Sequence, residues 1–397
     1  MQCHRFILQS TLATMTIGGG IHLTAKQRTD LEETANLLAT RGKGITACDE
    51  SAGTIGKRFE AVEIDNTEEN RRLYRQMLFT APGSEEYICG AILDPETLLQ
   101  KSNDGILFPE VLSKRGIVTG VKPHLKVYTL PGTGGDTVMQ GLDSLAVRCR
   151  EYYAAGARFA KWRSPLVIDV ANGRPTDLAI KSNMSDLARY ALICQSEGLL
   201  PIVEPDVSLS GSHTLEEAVA VNTKVLSTLF KAMTDHGVYM PGATLKSNII
   251  NPGKDCPISY SAEDIANANV AVLEATFPVA MKTANYLSGG QTLEDAAARL
   301  SAINKQNKVG PWNLSFSWSA ALQLPLLELC KDRGGELQLD EMGKLYIEEL
   351  KMASAAATGN LQCSAESGSH KGTGNIVDET ASDEEGGATK RRRRIEN

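Results

Sequence analysis

The chain has 397 residues, 42% hydrophobic and 22% charged, enough for one large domain or two ordinary ones, which excludes a disulfide miniprotein, a collagen-like chain and wholesale disorder. Its formal charge of −7 argues against a surface devoted as a whole to nucleic acid or anionic membrane. Residues 1–29 hold three bases and no acid, and residues 359–397 six bases and seven acids, which leaves the body at −9; an anionic substrate therefore needs bases gathered in one cleft.

In chain order, residues 1–25 read as a flexible N-terminal extension. The first 16 residues are acid-free and bear Ser and Thr, a loose resemblance to an organelle transit peptide, and Phe6-Ile7-Leu8 is too short an apolar run for a secretory signal. No stretch approaches the roughly 20 apolar residues of a membrane span. From about residue 30, eight short apolar runs predict strands: Gly44-Ile45-Thr46-Ala47-Cys48, Tyr87 to Leu93, Ile117 to Val121, Arg158-Phe159-Ala160, Leu199 to Val203, Ala243-Thr244-Leu245, Ala284 to Leu287 and Leu314 to Trp318. Helical spacing separates them over about 141–155, 176–197, 261–276, 291–305, 319–332 and 340–357. Thr67-Glu68-Glu69 opens another helix over 70–80, and Thr214-Leu215-Glu216-Glu217 opens one over 218–236 with Gly237 as its stop.

Eight strands alternating with helices over residues 26–357 predict a single α/β domain, a (β/α)8 TIM barrel, rather than an open doubly wound sheet. No Gly-x-Gly-x-x-Gly follows the first strand, and no Gly-Lys-Ser loop of Walker type is present. Residues 358–397 are predicted to form a disordered tail: rich in Gly, Ser, Thr and Ala, then acidic, then Lys390-Arg391-Arg392-Arg393-Arg394. That basic run is a candidate for an import receptor or a polyanion, the alternative being a solvated charge run beside its own acids.

The six histidines (4, 22, 124, 213, 236, 370) have no zinc-ligand spacing, and the eight cysteines form no Cys-x-x-Cys; we expect no metal site, no cofactor and reduced thiols, as in a cytoplasmic compartment. In a barrel the site lies at the carboxyl ends of the strands. The residues closing the apolar runs are Asp49, Lys122, Lys161, Glu204, Lys246 and Ser288. Acids and lysines there must pair or work, and three lysines facing one mouth are expected to depress one another's pKa. Converging bases suit an amine that attacks a carbonyl and forms a Schiff base, with Glu204 and Asp49 moving protons. Spacing does not choose between Lys246 and Lys161 as the nucleophile. Leu287-Ser288-Gly289-Gly290-Gln291 before a helix start suggests a phosphate site, although Ser-Gly-Gly alone is a common turn.

These motifs closely resemble the class I, Schiff-base fructose-1,6-bisphosphate aldolases. The matches run in order over roughly residues 26–350: Gly42-Lys43-Gly44-Ile45, Asp49-Glu50-Ser51, Glu68-Glu69-Asn70-Arg71-Arg72, Phe159-Ala160-Lys161-Trp162-Arg163, Pro201-Ile202-Val203-Glu204-Pro205, Leu245-Lys246 with Asn248, Leu287 to Gln291, Ala302-Ile303-Asn304-Lys305 and Phe316-Ser317. The resemblance implies a metal-free enzyme, usually a homotetramer, that reversibly cleaves fructose 1,6-bisphosphate to dihydroxyacetone phosphate and glyceraldehyde 3-phosphate. It implies Lys246 as the imine former, Glu204 as the acid of dehydration, Asp49 as the base for the C4 hydroxyl and Lys161 as a charge stabiliser that helps keep Lys246 unprotonated. By the same resemblance Ser288 and Gly289 hold the C1 phosphate and Ser51, Arg58 and Lys122 favour the other end of the substrate, with Gly290 and Arg163 as further substrate-binding candidates. A cytoplasmic location is expected, with a plastid as the alternative.

Two positions depart from the family pattern. An arginine expected after strand eight is Ala320, a loss of about 1.5–3 kcal/mol of phosphate binding if uncompensated. No tyrosine follows Tyr346, where the family has a terminal one. These departures motivate an alternative: a catalytically weakened binding or scaffold protein, or an aldolase with altered phosphate preference.

Overall fold

A computed structural model describes residues 23–307 and 310–361; the expectations placed on residues 1–22, on 362–397 and on Lys390–Arg394 lie outside the described residues. The strands, in chain order, are β1 Gly44–Cys48, β2 Ile88–Leu93, β3 Val118–Val121, β4 Val127–Thr129, β5 Thr137–Met139, β6 Phe159–Leu166, β7 Leu200–Val207, β8 Thr244–Asn248, β9 Thr283–Leu287 and β10 Asn313–Trp318. Eight of them close into a parallel barrel in the order β1-β10-β9-β8-β7-β6-β3-β2, while β4 and β5 pair apart as an antiparallel hairpin. The fold is thus the expected (β/α)8 barrel. Each of the eight apolar runs is a barrel strand.

The hairpin was not predicted from the sequence: it is short, and Tyr128 and Thr129 are exposed, so it carries no apolar run. Strands β6 and β7 extend to Leu166 and Val207, beyond the residues that close their apolar runs. Lys161 and Glu204 therefore sit inside strands rather than after them. A charged side chain ends a hydrophobic pattern without ending the ladder of backbone hydrogen bonds.

The barrel interior has an apolar floor and a charged mouth. The helix Ala25–Leu38, not expected from its sequence, is opened by a Thr24/Gln27 capping box and lays Leu31, Ala35 and Leu38 on Ile45, Ile92, Phe159, Leu200 and Ile202. Burying each leucine stabilises the fold by about 1.5–3 kcal/mol. Gly120 is dictated by this packing, because a Cβ there would lie 2.1 Å from the Phe159 ring. On the outer side Trp162 packs on Tyr190 of the helix Asp177–Ser196, with ring centroids 5.3 Å apart. The capping box at Thr214 and Glu217 forms as expected, and the helix it opens, Leu215–Asp235, is followed by Gly237 at φ 72°.

The last described helix, Leu339–Ala357, buries Glu349, whose Oε2 has no partner. Burial, then the charge of Glu294, pushes its carboxyl up to about 8. The folded chain therefore holds a proton that the unfolded chain releases above about pH 4.5, so this group's contribution falls as pH rises from about 4.5 to about 8. Glu349→Gln should stabilise the protein by about 1–2 kcal/mol at pH 8, a figure discounted for solvent screening, and by almost nothing at pH 4.5. Urea melts at the two pH values check this; equal gains at both would remove the titration argument.

Candidate active site

Four side chains meet in the barrel mouth. Asp49 follows β1, Lys161 lies on β6, Glu204 on β7 and Lys246 on β8, and each is at least nine-tenths buried. The Lys161 Nζ stands 2.7 Å from Asp49 Oδ2 and 3.1 Å from Glu204 Oε2. The other oxygen of Glu204, Oε1, is 3.3 Å from Lys246 Nζ. One carboxylate thus bridges two amines, and one amine bridges two carboxylates.

The electrostatics depart from the sequence expectation at Lys161. Burial opposes its charge, but the Asp49 and Glu204 carboxylates outweigh burial and hold its ammonium well above the usual lysine range. Counting lysines at strand ends did not reveal that this one is matched by two acids. Asp49 shows the converse: burial disfavours its charge, and the fields of Lys161, Lys122 and Lys246 nevertheless hold its carboxyl well below the usual range.

The outer cations are also clamped. The Lys122 ammonium donates to the Asp49 carbonyl at 2.6 Å and pairs with Asp94 at 3.1 Å. Arg58 Nη1 donates to Glu50 Oε1 and to Ser319 Oγ, each at 3.0 Å, and Ser319 Oγ bonds the same Glu50 oxygen. Arg163 Nε donates to Asp206 at 2.7 Å. Ser51 caps the helix Ala52–Glu60, accepting the Thr54 N–H, so this helix points its N-terminus at the mouth. All the catalytic and distal candidates named from sequence are brought to one face.

Sequence reasoning missed several residues of this face. Asp94 directly follows the second apolar run, where strand-end counting had the signal to find it. Asn285 on β9 pairs in register with Lys246, is fully buried, and has neither amide atom partnered. His124 packs edge-on against Trp162. Burial, then the charges of Lys161 and Lys122, pushes its imidazole well below the usual range, so it is neutral. Among the described residues no group of three or more His, Cys, Asp or Glu side chains could hold a metal ion.

After β9, Ser288 to Gln291 form a turn with Gly289 and Gly290 both left-handed, at φ 60° and 76°, as a type I′ turn requires. The turn is closed on the Ser288 carbonyl, which accepts the Gln291 backbone N–H at 3.1 Å and its side-chain amide at 2.7 Å. That leaves the glycine N–H groups unused within the loop, beside the helix start at Thr292. This is the seventh barrel strand's loop, where barrels commonly bind phosphate.

Comparison with known proteins gives the same direction. The family described as "Fructose-bisphosphate aldolase class-I" matches residues 30–380. The chain is 45% identical over 339 residues to the fructose-bisphosphate aldolase of Dictyostelium discoideum, covering 85% of this chain and 94% of that one. It is 43% identical over 339 residues to the cytosolic fructose-bisphosphate aldolase 4 of Arabidopsis thaliana, covering 85% of each. Among solved structures, the fructose-bisphosphate aldolase of Plasmodium falciparum, in complex with TRAP and a small-molecule inhibitor, superposes with a TM-score of 0.84 at 41% identity, over 87% of this chain and 98% of that chain.

Proposed function

The chain belongs to the class I fructose-bisphosphate aldolases, lyases that cleave fructose 1,6-bisphosphate reversibly, and on that premise we propose how its residues divide the reaction. Lys246 passes one ammonium proton to Glu204, its free amine attacks the C2 carbonyl, and a second proton moves from that nitrogen to the carbonyl oxygen to give a carbinolamine. Glu204, 3.3 Å from that amine, gives a proton to the departing hydroxyl, so water leaves and an iminium remains. Asp49 then accepts the C4 hydroxyl proton as the C3–C4 bond breaks. The bonding pair moves into the iminium to give an enamine, and C4 becomes the aldehyde carbon of glyceraldehyde 3-phosphate. Protonation at C3 and addition of water release dihydroxyacetone phosphate and restore the amine. Lys161 acts electrostatically: fixed on both carboxylates, it keeps Asp49 ionised and offers positive charge to the developing C4 oxyanion.

The observation that carries this reading is the bridging position of Glu204, one oxygen on each lysine. Ser288, Gly289 and Gly290 take the C1 phosphate in this assignment, and Ser51, Arg58, Lys122 and Arg163 the remaining length of the sugar and its second phosphate. Because Arg58 and Lys122 are already fixed by Glu50, Ser319 and Asp94, the second phosphate meets oriented donors. We expect kcat/KM for the bisphosphate to exceed that for fructose 1-phosphate by at least about tenfold, unchanged by EDTA. Equal values for the two substrates would contradict the distal assignment, and loss of activity in EDTA the metal-free chemistry. Aldolases as relatives over most of the chain do not favour a weakened scaffold protein.

The homotetramer implied by the resemblance is checked by sedimentation equilibrium, and a monomer would reject it. A cytosolic site, as for the cytosolic Arabidopsis relative, is preferred to a plastid; fluorescence of a full-length fusion inside plastids would reverse that. The run Lys390–Arg394 is assigned to import or polyanion binding. A reporter carrying residues 359–397 that stays wholly cytoplasmic would count against import.

A further inference from the structure

The turn after β9 is braced from behind. Gln291, whose side-chain amide donates to the Ser288 carbonyl, accepts in turn from Arg299 Nη1. Arg299 lies two turns into the helix Leu293–Gln306, and helical side chains lean towards the N-terminus, so its guanidinium reaches the loop that starts the helix. Among the described residues it has no ion pair. Its hydrogen-bond partner is a neutral amide, and Asp295, one turn earlier, touches it only through its field. Burial pushes this guanidinium down from its ordinary range, as expected of a half-buried cation without a counter-ion.

An unpaired cation behind a turn of free N–H groups costs free energy in the empty protein and is offset when an anion arrives. The body of the chain is acidic, and Ser319 and Ala320, which follow β10, bring no charge. We infer that Arg299 is a positioning residue for the C1 phosphate: it locks Gln291 onto the Ser288 carbonyl and supplies the positive charge behind the Gly289-Gly290 N–H groups. The inference rests on the proposed placement of that phosphate.

The test uses the full chain and dihydroxyacetone phosphate, which carries only this phosphate. Borohydride inactivation is measured against its concentration, giving a half-saturating concentration and a maximal rate. In Arg299→Met the half-saturating concentration should rise about tenfold with the maximal rate within about twofold, the loss expected for one charge-assisted contact. Adding Gln291→Leu to Arg299→Met should change it by less than about twofold, because both residues act through the same brace. Arg299→Lys keeps the charge and should recover part of the loss; if the methionine variant fails to fold, the lysine variant carries the test, with an expected rise of about threefold. A half-saturating concentration equal to wild type in either folded variant overturns the inference, as does a fall confined to the maximal rate. Wild-type protein that is not inactivated at all would instead reject the imine reading on which it stands.

Discussion

Lys246→Met is expected to lower kcat for bisphosphate cleavage by at least about 10⁵ while the protein stays folded. The methionine matches the stem of the lysine in length and suits a site that is 4% exposed inside β8. Among the described residues its one ion-pair partner is Glu204, which keeps Lys161 at 3.1 Å, so that carboxylate is not stranded. No other amine can substitute. Lys161, which shares Glu204 with it, is held protonated between two carboxylates at 2.7 and 3.1 Å. A coupled assay beside a thermal melt checks this, and activity above about 1% of wild type in a folded variant would contradict the assignment.

Asp49→Asn should cost about 10³–10⁴ in kcat, with KM changed only a few-fold, since the amide cannot take the C4 hydroxyl proton yet fills the same space. Imine formation precedes that step, so borohydride should still inactivate this variant in the presence of dihydroxyacetone phosphate. Stability should fall as well. The Asp49 carboxyl is held well below its usual range, so it stabilises the fold above the unfolded-state pKa of about 3.9 and loses this only as pH falls through the lower folded value. The asparagine variant lacks that contribution at neutral pH. It should melt earlier than wild type there, with the gap narrowing in acid. A variant that loses borohydride inactivation along with cleavage would move Asp49 out of the bond-breaking step.

Much of this architecture was legible from hydrophobic patterning. Strands buried on both faces write near-continuous apolar runs, and eight of these stand in order. What patterning hid lies where charge enters a strand. Lys161 and Glu204 stopped the runs, yet β6 and β7 continue around them because the barrel mouth tolerates charge that is paired. The sequence also named the cations without their partners: Asp94 for Lys122, Glu50 and Ser319 for Arg58, Asp206 for Arg163. Partners separated by up to 261 positions, as Arg58 and Ser319 are, leave no local signal. Arg299 is the extreme case, since an arginine on a helix reads as a solvated charge until the Gln291 contact is seen. The residue types that carry the chemistry were legible because the resemblance rests on them; their mutual charge state was not.

The central claim is that Lys246 is the amine that joins the sugar. Borohydride added with dihydroxyacetone phosphate, followed by peptide mass spectrometry, should place a single reduced adduct on Lys246 and none on Lys161 or Lys122. An adduct on Lys161, or inactivation with no adduct on the peptide containing Lys246, would contradict it.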